Sequence, residues 1–175
     1  NPPTYQGNGY VILYTSWTPE YTTAPTDYAL GHIPGAIFID TYDVENGPTR
    51  EPMYESPHDA NVKAIPELQQ FLGGIGISAD KTVVVYGNDI MSCGRVAWAL
   101  LLAGVKDVRV LNGGYDAWIK YGGGSQGTAN ILTPIEFGKS AGRPDLLATM
   151  EQVKAACAGS TANITVTDDR SRDEF

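Results

Sequence analysis

Cysteine and histidine are scarce in this chain. Its 175 residues hold two cysteines, Cys93 and Cys157, and two histidines, His32 and His58. Two thiols cannot build a disulfide framework. No Cys/His spacing matches a zinc site, so no metal is expected. Basic residues are short too: 12 Lys and Arg stand against 20 Asp and Glu, a net charge of −8. Such a chain repels phosphate backbones, and its few cations form no stripe, which argues against general nucleic-acid binding. No apolar run approaches the roughly 18–20 residues that cross a bilayer, so no membrane partner is expected. The opening Asn-Pro-Pro-Thr-Tyr-Gln-Gly-Asn-Gly-Tyr lacks the basic start and apolar stretch of a secretory leader. The expectation is a soluble protein, cytoplasmic or periplasmic. The Gly-rich stretch 122–127 has no Lys-Ser/Thr behind it, and no G-x-G-x-x-G follows a strand. A phosphate loop and a dinucleotide-binding half are therefore disfavoured, and no cofactor is expected.

The chain does have enough apolar residues, 42%, to bury a core of its own. Its length suits one domain, or one domain and part of another. Tyr10 to Tyr14 reads as a first strand, and Ala36 to Ile39 as a short buried one after the turn Gly31-His-Ile-Pro-Gly35. Thr41 to Asn61, with Pro48, Pro52 and Pro57, reads as an irregular loop. Apolar residues at 65, 68, 71 and 72 have helical spacing, and Gly73, Gly74 and Gly76 end that helix. Thr82 to Tyr86 is an unbroken β-forming run, which implies a parallel central strand buried on both faces. Ser92, read as an N-cap, opens an apolar helix to Ala103, with Gly104 as its stop. Val108 to Leu111 is another strand, and Tyr115 to Tyr121 a short helix. This alternation predicts an α/β domain with a mainly parallel central sheet and helices on both faces. Composition then shifts to Gly, Ser and Thr over 123–143, which reads as a linker. Leu146 to Ala158 is helical in pattern and Ile164 to Thr167 strand-like, so a second unit begins there.

Three segments now belong together: Gly31-His-Ile-Pro-Gly-Ala36; the strand, loop and helix from Val83 to Leu102; and Val108-Arg-Val-Leu-Asn-Gly-Gly114 with Trp118. In this order they resemble the rhodanese family of sulfurtransferases, over roughly residues 10–122. The stretch from Pro144 to Val153, and Asp168, Arg170 and Glu174 near the end, look like the opening of a second rhodanese repeat. The resemblance implies a rhodanese-like domain over 1–122, a linker over 123–143 and the start of a second, similar domain over 144–175. Ala103 to Gly114 is most similar to the bacterial multi-domain thiosulfate sulfurtransferases.

What the resemblance implies chemically is the movement of a sulfane sulfur. A Cys thiolate takes it from a small anionic donor such as thiosulfate, holds it as a persulfide, and hands it to cyanide or a thiol. In the family that Cys directly follows the central strand. Here Gly87 stands there, which offers no nucleophile and matches the non-catalytic domains of tandem rhodaneses. The reactive Cys is then expected beyond Phe175, in residues outside this chain or on a companion chain. Two alternatives stand beside this reading. In one, Cys93, six residues past Gly87, is a displaced nucleophile assisted by a helix N-terminus; against it stands the common fate of Cys as a small buried residue. In the other, the chain is a rhodanese-like binding module without sulfur chemistry. The expected cleft residues are Trp17, Gly87, Asn88, Asp89 and Arg170. His32 is expected to order its turn through hydrogen bonds and not to act as a base, and an Asp89–Arg95 pair to fix the loop.

Overall fold

A computed structural model describes residues 9–17, 26–46, 61–87, 89–159 and 164–167. The chain divides into two compact units, Asn1–Arg143 and Pro144–Phe175.

The first unit is built on four parallel strands. They are β1 (Tyr10–Ser16), β2 (Ile37–Asp40), β5 (Thr82–Gly87) and β6 (Asp107–Val110), in the order β2-β1-β5-β6. The β-branched run that forms β5 sits in the middle because its side chains can be buried on both faces. Alternation divides the core. Ile12, Tyr14 and Tyr86 point to one face, where they meet Tyr28 of α1 (Thr26–Leu30) and Ile33 and Ala36 from the turn after it. Tyr115 and Trp118 of α4 (Gly114–Lys120) pack on the same cluster. Leu13, Val83 and Val85, each fully buried, face the opposite way. There α3 (Ile90–Ala103) lies against β1, β5 and β6, and α2 (Ile65–Gly74) packs against α3. A 3₁₀ turn, Thr41–Val44, follows β2 and leads into a small antiparallel ribbon of β3 (Glu45–Asn46) and β4 (Asn61–Val62). The rest of the stretch between these two strands lies outside the described residues.

The cap of α3 differs from expectation. Asp89, not Ser92, is the N-cap: its Oδ1 accepts the Ser92 N–H at 2.7 Å. Ser92 is buried one turn further in and returns its hydroxyl to the Asp89 carbonyl at 3.1 Å. An aspartate in extended backbone three residues before a hydrogen-bond donor out-competes a serine already inside the turn. At the other end Gly104 takes φ 99°, the left-handed cap.

The Gly-, Ser- and Thr-rich stretch 123–143 runs over the first unit and is hydrogen-bonded to it at several points. Gln126 exchanges two backbone hydrogen bonds with His32, both 2.9 Å. Ile135 N–H donates to Gly73, Phe137 accepts from Ala79, and Arg143 N–H donates to Leu102. Phe137 is buried and joins the core.

In the second unit, α5 (Met150–Cys157) is opened by a reciprocal cap: Thr149 accepts from the Gln152 N–H, and the Gln152 side chain accepts from the Thr149 N–H. Residues 164–167, expected as a strand, form none. Ile164 and Val166 are half exposed, and a β-former without a ladder partner among the described residues gains nothing by pairing.

Candidate functional site

In parallel α/β sheets, ligands approach the carboxyl ends of the strands. Here β5 ends at Gly87 and β6 at Val110, and each is followed by a turn into a helix. The space between these turns is a cleft of about 390 Å³. It is lined by Gly87, Asp89, Ile90 and Cys93 from the end of β5 and the start of α3, and by a second wall of Val110, Leu111, Gly113, Gly114, Tyr115 and Asp116 from the end of β6 and the start of α4. Gly113 and Gly114 have φ 79° and 56°, so the turn into α4 needs residues that tolerate the left-handed region.

Gly87 pairs with Thr15 as the last rung of the β1–β5 ladder. A Cβ built on it would stand far inside the van der Waals distance of the Thr15 carbonyl oxygen. It would also lie 3.3 Å from the Cys93 Sγ. The backbone is thus packed so closely that this position admits glycine and no side chain.

Cys93 lies one turn into α3 and is buried. Burial raises its thiol above the ordinary range, and the negative charge of Asp89 raises it further. The hydrogen bond with Ser92 acts the other way and is weaker. Both main causes favour the protonated thiol, the opposite of what a sulfur nucleophile needs. Among the described residues, no Lys, Arg or His lines the cleft. Arg95 is drawn to Glu45 in β3 at 2.8 Å, and its guanidinium stacks over Trp98 at 5.2 Å. The charged partner expected for Asp89 is therefore engaged with Glu45. Glu45 is buried, and desolvation raises its carboxyl above the usual range; the Arg95 hydrogen bond and charge offset this only in part.

Of the residues expected to shape the cleft, Gly87 and Asp89 line it together, and the alternative nucleophile Cys93 lines it too. Trp17 does not line it; it stacks edge-on against Tyr42 with centroids 5.2 Å apart. Asn88 and Arg170 lie outside the described residues. The second wall was not foreseen. Asp116 and Tyr115 are brought over by the Leu-Asn-Gly-Gly turn, and that turn was the available signal.

His32 forms no part of the cleft lining. It is fully buried, stacked on Tyr28 with centroids 3.8 Å apart, and its Nδ1 lies 2.7 Å from the Tyr28 carbonyl oxygen. A carbonyl only accepts, so Nδ1 carries the hydrogen. Nε2 is left to accept from the Asn130 side-chain amide at 3.2 Å. Asn130 Nδ2 also donates to the Ala36 carbonyl, and its Oδ1 accepts from Gln126, 2.9 Å in both cases. The ring orders the turn and ties the strap to it.

Four parallel strands covered on both faces, with a cleft where β5 and β6 end, define a small α/β domain of the kind that presents a loop at a strand's carboxyl edge. The chain belongs to the rhodanese-like domain family, whose model matches residues 22–121. It is 40% identical over 134 residues to the thiosulfate sulfurtransferase YnjE of Escherichia coli K12, covering 75% of this chain and 28% of that protein. It is 33% identical over 151 residues to the thiosulfate sulfurtransferase of Bos taurus, covering 84% of this chain and 48% of that one. The crystal structure of YnjE superposes with a TM-score of 0.69 at 34% identity, over 86% of this chain and 33% of YnjE. An anaerobic ergothioneine biosynthesis enzyme from Chlorobium limicola, solved with trimethyl histidine, superposes with a TM-score of 0.60 at 30% identity, over 75% of this chain and 31% of its own. The chain thus spans less than half the length of these relatives.

Proposed function

We propose that this chain supplies a domain without a nucleophile to a thiosulfate sulfurtransferase. In that reaction a Cys thiolate attacks the sulfane sulfur of thiosulfate or a similar anionic donor. The donor's S–S bond breaks, sulfite leaves, and the outer sulfur is held as a persulfide. Cyanide or a thiol then attacks that sulfur and the Cys thiolate is released. The reactive Cys lies outside these 175 residues, in continuing sequence or on a companion chain. In the second unit, Arg170 serves the surround of that other site. The observation that carries this reading is Gly87, which closes the last rung against Thr15 so tightly that no sulfur-bearing side chain fits. The buried Cys93, whose thiol is pushed upward by burial and by Asp89, supports it. Sulfur transfer itself is supported by membership of the family and by the thiosulfate sulfurtransferases among the relatives.

The test uses this chain alone with thiosulfate and cyanide. The expected result is no thiocyanate, and an intact mass unchanged after thiosulfate treatment. Thiocyanate formation with a mass gain of one sulfur atom, both lost in Cys93→Ala, would overturn the proposal and make Cys93 the carrier.

A further inference from the structure

We infer that His32 and Asn130 form an acid-released latch: protonation of the buried imidazole frees strap residues 126–130 from the Gly31–Ala36 turn. The hydrogen-bond network carries this, because backbone groups with fixed roles set the orientation of every side chain in it. The Gly35 N–H donates to Gln126 Oε1 at 3.0 Å. Gln126 Nε2 is then the end that donates to the Thr128 carbonyl and to Asn130 Oδ1, 2.9 Å in both cases. The Ala36 carbonyl can only accept, and it takes Asn130 Nδ2 at 2.9 Å. The same Nδ2 stands 3.2 Å from His32 Nε2, which must therefore accept. The Tyr28 carbonyl, 2.7 Å from Nδ1, takes the ring's one hydrogen. A neutral imidazole with its hydrogen on Nδ1 satisfies every member of this network, and no other state of the ring does.

A second proton on the ring has no acceptor. An N–H at Nε2 would face the Asn130 amino group, donor against donor. Turning that amide over would set its oxygen against the Ala36 carbonyl and its amino group against that of Gln126. Nor is the charge balanced. His32 has no exposed surface, and neither ring nitrogen meets a carboxylate among the described residues. The titratable groups around it are Asp27 and Tyr28 of α1, Tyr86 of β5, whose hydroxyl accepts from the Ile33 N–H at 2.9 Å, and Tyr115 of α4. Strap residues 123–131 include no charged side chain. The His32 and Tyr28 rings are parallel within 8°, so the Tyr28 face attracts a cation but lies out of line of the in-plane N–H. A buried charge without a partner is strongly disfavoured. The closed strap thus accommodates the neutral ring only, so its stability is present where the ring is neutral and is lost as acid charges it. Imidazole is the side chain that makes this change within roughly pH 5–8. The ties on either side use no imidazole: Trp118 Nε1 donates to the Gly124 carbonyl at 2.7 Å, Tyr115 to Ser125 Oγ at 2.6 Å, and the Ile135 N–H to Gly73 at 2.9 Å. Release is therefore local. It uncovers the Gly35 N–H, the Ala36 carbonyl and the Tyr28 hydroxyl, which accepts from the Asn130 N–H at 3.2 Å when the strap is closed.

Amide hydrogen exchange of the full 175-residue chain, read by NMR from about pH 7.5 to about pH 4.5, tests the latch. Rates are converted to protection factors, which removes the intrinsic pH dependence of exchange, and the ring-nitrogen shifts of His32 follow its protonation. The informative amides are His32 and Gln126, which bond each other's carbonyls, and Asn130. The control amides are Ala79, Ile135 and Arg143, which hold the rest of the strap. An opening linked to one proton changes by up to about tenfold per pH unit, so the informative amides should lose at least about tenfold in protection across the range. The loss should follow protonation of the His32 ring, while the controls change by less than about threefold. Asn130→Ala, a change on the half-buried strap, should leave the His32 and Gln126 amides poorly protected at neutral pH and nearly insensitive to acid. Informative amides that stay protected down to about pH 4.5, whatever the charge on the ring, overturn the inference. A uniform loss that includes the controls overturns it as well, since that is acid unfolding of the whole unit. So does an Asn130→Ala chain that keeps either the neutral-pH protection or the response to acid. No activity enters this readout, so its failure leaves the sulfurtransferase proposal standing.

Discussion

At the scale of single residues, Gly87 decides most. Placing a thiol there by Gly87→Cys is expected to fail twice. The new Cβ would collide with the Thr15 carbonyl, so the variant loses about 1–3 kcal/mol in a urea melt, the usual cost of overpacking. It also gains no thiocyanate production. Gly87→Ala should cost about the same in that melt, because the clash is at Cβ; a harmless alanine would refute the steric account. Cys93 gives a second prediction. Its thiol is raised by burial and by Asp89, so its thiolate forms only above the ordinary thiol range. Iodoacetamide should label the exposed Cys157 first at neutral pH, and Cys93 should begin to react only as pH rises past that range. Peptide mass mapping across pH reads this directly, and Cys93 reacting first would refute it. That a glycine ends the central strand was legible in the sequence, because a run so rich in β-formers fixes where it must end. The reason glycine is needed there was not legible, since the obstacle is a carbonyl 72 positions away in sequence on β1.

Among the elements, the central strand and its two neighbouring helices follow from pattern alone, because β5 and α3 carry their own periodicities. The small ribbon did not. Two-residue strands are below the length at which alternation can be read, and β3 is held by an ion pair to α3 that joins residues fifty apart. That pair has a definite pH signature. Desolvation raises the Glu45 carboxyl in the folded chain above its ordinary value of 4.5, and Arg95 offsets this incompletely. A raised folded value means the protonated carboxyl is favoured by folding. Its contribution is fully present below the unfolded value and is lost as pH rises through the folded one. Glu45→Gln, which cannot ionise, should therefore flatten the stability profile over that interval. Urea midpoints measured from mildly acidic to neutral pH check it: the wild type declines relative to the variant as pH rises, and parallel profiles would contradict it. The misplaced cap of α3 has a similar lesson. Serine and aspartate both cap helices, and only the backbone conformation at 89 shows which one stands outside the first turn.

For the whole molecule, the GHIPGA turn, the central strand and the Leu-Asn-Gly-Gly turn made the family readable before any geometry. The second wall of the cleft was hidden because its residues come to line one space with Gly87 and Asp89 only when β5 and β6 pair. The strap was hidden for another reason. Gly, Ser and Thr read as tether by composition, and nothing local marks Asn130 as the partner of a histidine 98 residues earlier. Its presence redefines where a biochemist can cut. An excised fragment ending at Tyr121 would satisfy a domain drawn from strands and helices, yet it would strip His32 Nε2 and the Ala36 carbonyl of their amide and uncover Phe137's seat. A cut that keeps these bonds comes after Arg143, whose N–H reaches the Leu102 carbonyl and where the first compact unit ends.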